Sequence, residues 1–145
     1  VPRTPLTAAV LNERRTALGL PPYTGGDDAA DLRRAAWETV LAAGDGGAGE
    51  PRPVVRGAVR HLLDVLAERA PGRSVEVRVP PHAAVQCIEG PHHKRGTPPN
   101  VVEMDAATWI ALATGRLAWA DALADGRVRA GGARADLSPY LPLEA

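Results

Sequence analysis

Between residues 54 and 79 the chain changes its hydrophobic period from helical to alternating. Val55, Val59, Leu62 and Leu66 recur at helical spacing, with Arg56, Arg60, Asp64 and Glu68 turned away from them. That pattern predicts an amphipathic helix over residues 54–69, ended by Pro71-Gly72. Directly afterwards Ser74-Val-Glu-Val-Arg-Val79 alternates. Val75, Val77 and Val79 fall on one side, Glu76 and Arg78 on the other, as in a strand with one wet face. A chain that must seat both a helical stripe and a half-buried strand belongs to the α+β class.

The rest of the sequence agrees. Residues 83–89 form a second strand, with Val85 and Cys87 on one face and Gln86 and Ile88 on the other, and pair with the first as an antiparallel hairpin across Pro80-Pro81-His82. Residues 100–104 form a third strand in which Val102 and Met104 share a face. Asp105 then caps a helix over 106–114 that stops at Gly115, a short helix follows from Trp119 to Ala124, and Arg127–Ala130 is extended. Pro139 and Pro142 limit the tail to a helical turn or two. Upstream, a helix over 5–18 has Thr4 as cap and Pro5 in first position. A second, over 28–43, is capped by Asp27 or Asp28 and carries Leu32, Ala36 and Val40 at helical spacing. The glycine-rich residues 44–53 form a flexible loop or linker, the only internal boundary. The helices before it are too few to enclose a core, so one domain over 1–145 is expected, with 1–53 as a helical extension and 54–145 as the core.

Composition removes several function classes. Seventeen basic residues cancel seventeen acidic ones, which leaves no global field to recruit nucleic acid. One cysteine makes no internal disulfide, and no apolar run approaches the ~18 residues that span a bilayer. A soluble, cytoplasmic protein is expected, not an integral membrane protein. There is no Phe, so the core is built from Ala, Leu and Val with few large rings. The chain has no phosphate-binding glycine loop, nucleophile elbow or HExxH motif, and no cofactor or metal is expected.

Residues 101–137 read VVEMDAATWIALATGRLAWADALADGRVRAGGARADL. The succession is a strand, an Asp105 cap, a helix closed by Thr114-Gly115-Arg116, and a short helix carrying Ala120, Ala122 and Leu123. Gly126-Arg127-Val128-Arg129 then forms a strand closed by Gly131 or Gly132. It resembles the C-terminal half of the sterol carrier protein type 2 family, in a divergent bacterial, actinobacterial form. The resemblance implies a small, mostly antiparallel or mixed sheet covered on one face by helices, with extra N-terminal helices here. It also implies a non-enzymatic module. Two stubby helices crossing a sheet leave an apolar gap, which the resemblance assigns to a fatty acyl or isoprenoid-like lipid.

On that reading Val77, Val85, Cys87, Val102 and Met104 form the sheet wall, Trp109, Leu112, Trp119 and Leu123 the helical wall, and Leu137 and Leu141 close one end. Periodicity alone is equally served by a filled core, which would make the chain a structural or interaction domain. A third alternative is an accessory domain of a thiol-dependent isomerase or transferase, although no catalytic constellation is visible. Cys87 on an alternating strand reads as a small buried hydrophobe, and His61 as a helix-surface side chain. The loop around His92, His93, Lys94 and Arg95 is either a solvated loop or an anion and headgroup contact. Its adjacent histidines lack zinc spacing, even with His82 or Cys87 nearby, and its cations oppose a metal.

Overall fold

The structure is a computed structural model and describes residues 3–91 and 100–143. The chain divides into two compact units, one through His61 and one from Leu62 onward.

The first unit contains α1 (Ala8–Ala17), α2 (Ala29–Ala43) and the beginning of α3 (Arg52–Arg69). The N-cap of α1 is Thr7, not Thr4: its backbone is extended and its hydroxyl accepts the Val10 N–H at 3.2 Å. Residues before it are tied down instead of helical. The Thr4 carbonyl accepts Arg56 Nη2 at 2.6 Å, and Leu6 lies against Gly57, where a Cβ would approach its Cδ2 to 2.7 Å and the Cβ of Ala36 to 2.9 Å. Asp28 caps α2 by accepting the Asp31 N–H, and Gly44 ends it in the left-handed region at φ 70°. The stretch after Gly44 is held by side chains. Asp45 accepts the N–H groups of Gly47 and Gly49, and Arg14 grips Glu50 through Nε at 2.6 Å and Nη2 at 3.0 Å.

The second unit holds a four-stranded sheet in the order β2-β1-β3-β4. The strands are β1 (Val75–Val79), β2 (Ala83–Cys87), β3 (Asn100–Met104) and β4 (Val128–Gly131). β1 pairs antiparallel with β2 and parallel with β3, and β3 pairs antiparallel with β4, so the sheet is mixed and open. Register puts Val77 opposite both Val85 and Val102, and Met104 opposite Val128. Burial alternates along β1 and β3, so one face is covered and the other, carrying Glu76, Arg78, Glu103 and Arg129, is wet. Between β3 and β4 lie α4 (Ala106–Ala113) and α5 (Trp119–Ala124), and α5 packs beside β4. Asp105 caps α4 by accepting the Thr108 N–H at 2.8 Å. Gly115 at φ 77° and Gly126 at φ 74° turn the chain after the two helices. The tail contributes a 3₁₀ turn over Ser138–Tyr140, and the Leu143 N–H donates to the Ala113 carbonyl at 2.9 Å.

The expected stripe of α3 is buried at Val59, Leu62 and Leu66, and Val54, Ala58 and Leu63 are wholly buried as well, whereas Val55 is only half-buried.

Candidate functional site

The covered face of the sheet carries apolar side chains on all four strands, with buried Asn100 at the start of β3 as its polar member. Val77, Cys87 and Val102 have no exposed surface, and Met104 and Val128 nearly none. Val85 sits on the same face but on edge strand β2, and is half-buried. The helical residues divide. Thr108, Trp109, Ile110, Leu112 and Ala113 are all buried in α4, as befits a helix apolar almost all round. Leu137 is also sealed, and Leu141 is half-buried. In α5, however, Ala122 is the buried residue, while Trp119 is half-buried and Leu123 is 40 % exposed. The spacing that paired Trp119 with Leu123 therefore selects the wetter side of this short helix. Ile110 and Val128 belong to the buried set and were not singled out by sequence. Ile110 could have been found, because it follows Trp109 in a run with no polar face.

Cys87 is enclosed, and burial pushes its thiol up to about 11. His82 lies in the turn at the opposite end of β2, more than four residues of strand away, so it cannot serve Cys87 as a base. His61 is half-buried on α3. Among the described residues no group of three His, Cys, Asp or Glu side chains is placed to hold a metal. The anion or headgroup contact expected at His92, His93, Lys94 and Arg95 lies outside the described residues.

A polar network at the start of β1 and β3 escaped the sequence reading. Ile88 adopts φ 65°, rare for a β-branched residue. Its N–H donates to the Ala70 carbonyl at 2.6 Å, and its carbonyl accepts both the backbone N–H of Ser74 at 3.0 Å and its hydroxyl at 2.6 Å. Gly72, at φ 148°, lies so close that a Cβ would overlap the Ile88 carbonyl. Buried Asn100 extends the network by donating to the Ser74 carbonyl at 2.8 Å and accepting the Arg134 N–H at 2.9 Å. Every buried polar side-chain atom among the described residues has a partner.

At the other end of the sheet, where β1 and β3 finish and β4 begins, a cleft of about 310 Å³ opens. Pro80, Glu103, Met104, Asp105, Arg127 and Arg129 line it. Arg129 pairs with Glu103 at 3.2 Å and Arg127 with Asp125 at 3.7 Å. Among the described residues no helix is long and apolar enough to cross a membrane.

Residues 51–143 match the family model described as bacterial SCP ortholog, SCP standing for sterol carrier protein. No curated protein matches the chain.

Proposed function

Because the chain belongs to the bacterial SCP ortholog family, we propose that it is a non-enzymatic carrier of an apolar ligand, a fatty acyl or isoprenoid-like lipid. The ligand lies between the apolar face of the sheet and α4, with Val77, Val102, Met104, Trp109 and Leu112 as walls and Leu137 at one end. The observation that carries this reading is a covered sheet face with apolar side chains on every strand, in the part of the chain that the family match spans. Such a site needs greasy walls and no particular catalytic residue. Non-enzymatic action is supported by Cys87, whose enclosed thiol is held far from the thiolate that a nucleophile requires.

The test is a chain-length series. Each buried CH₂ adds roughly 0.8 kcal/mol, so affinity rises with chain length until the space is full. Leu112→Trp should shorten the longest chain accepted; an unchanged preference argues against these walls. Native mass spectrometry of protein prepared without detergent should reveal a co-purified lipid.

A second reading is favoured by one specific observation: the chain's own atoms cover Trp109, Ile110 and Leu112 almost completely. On that reading the interior is a filled core and the domain serves structure or protein interaction. It predicts no binding at any chain length, and a stable partner in gel filtration.

A further inference from the structure

The cleft at the end of the sheet has a charge pattern that selects a ligand. Its lining carries two carboxylates, Glu103 and Asp105, and two guanidinium groups, Arg127 and Arg129. A simple anion drawn to the arginines would face both carboxylates, and a simple cation would face both arginines. A group that bears one charge of each sign satisfies the two halves together. Arg127 and Arg129 stand two residues apart, roughly 7 Å along an extended chain, so their side chains can close on one phosphate from two sides. Their present partners do not hold them tightly. Arg127 and Arg129 are 54 % and 84 % exposed, and such solvent-exposed ion pairs are weak, so a phosphate readily takes the place of the carboxylates. The volume suits a compact head and leaves no room for an acyl chain beside it. Met104, the last residue of β3, has its side chain on the covered face while Glu103 and Arg129 stand on the other, so the cleft meets the proposed tail site only around the end of the sheet.

We propose that this cleft takes a zwitterionic ammonium–phosphate group of the phosphoethanolamine type, its phosphate between Arg127 and Arg129 and its ammonium against Glu103 and Asp105. For a lipid source, the tail depends on the carrier reading above; the head does not.

The test measures the whole chain against four probes: lysophosphatidylethanolamine, a fatty alcohol of the same chain length, free phosphoethanolamine and inorganic phosphate. The lysolipid should bind at least tenfold tighter than the alcohol. That advantage should vanish in Arg127→Ala/Arg129→Ala, two exposed sites whose loss leaves the fold and the alcohol affinity unchanged. Equal affinity for the two amphiphiles in the native chain, or an advantage that survives the double variant, overturns the proposal and leaves the carrier reading standing. If neither amphiphile binds, the carrier reading fails and free phosphoethanolamine decides the cleft alone. Amide shifts at Gly126 and Arg129 that disappear in the double variant uphold it with the free ester as ligand; absent shifts overturn it. Inorganic phosphate binding as tightly as phosphoethanolamine also overturns it, because the carboxylates then contribute nothing.

Discussion

Cys87 gives the most direct single-residue test. Its thiol titrates at 9.0 when exposed and at about 11 in the folded chain, so between those values the unfolded state has released a proton that the native state keeps. Stability from this group is complete below pH 9 and is lost as pH rises toward 11, with a slope of up to about 1.4 kcal/mol per pH unit. Urea unfolding at pH 8 and pH 10.5 should show a larger loss in the native chain than in Cys87→Ala; identical losses would mean the thiol is not enclosed. Asn100→Ala strands the Ser74 carbonyl and the Arg134 N–H, and should cost about 2–3 kcal/mol in the same assay. Gly72→Ala should cost more than about 3 kcal/mol, because its Cβ meets backbone that cannot retreat. Cys87 was legible in the sequence because alternation states which way a strand residue points. The Gly72–Ile88 contact was not, because a left-handed backbone at an isoleucine leaves no periodic trace.

At the level of elements, strong local chemistry made boundaries readable. Asp105, Gly115 and Gly126 are cap and stop residues with one sensible use each, and α4 and α5 begin and end beside them. The cap expected at Thr4 gives way to Thr7, a residue of the same type three positions on, because long-range contacts hold the backbone of Thr4. Thr7→Ala should therefore cost about 1 kcal/mol, whereas Thr4→Ala should be close to neutral, since Thr4 offers its carbonyl to Arg56. Gly57 is a second case. Helix propensity favours Gly57→Ala by roughly 1 kcal/mol, but the new methyl would meet Leu6 and Ala36 below 3 Å. Overpacking at such a contact costs typically 1–3 kcal/mol, so the melting temperature should fall instead of rise. The fault in the α5 wall has a related origin: six residues are too few for a stripe to define a direction, and Leu123 faced outward.

For the whole molecule, the glycine-rich stretch after Gly44 looked like the natural seam, yet Asp45 and the Arg14–Glu50 pair fasten it. The compact units instead divide at His61, inside α3, while the family match begins at Pro51, immediately before that helix. A continuous helix shared by two units is a poor place to cut. A fragment beginning at Glu50 should keep more sheet signal in circular dichroism than one beginning at Leu62, which loses half of α3. The α+β class was readable because two hydrophobic periods adjoin in one stretch of chain, whereas a mixed sheet was implied only by the family resemblance. The division into units was not, because it depends on which contacts close in space.

The tight fit of Gly72 against the Ile88 carbonyl has an evolutionary corollary. Neither position is free to drift alone, so a relative that acquires a side chain at the first should also have rebuilt its chain path at the second. Paired changes there would trace a lineage in which the end of the hairpin was redrawn.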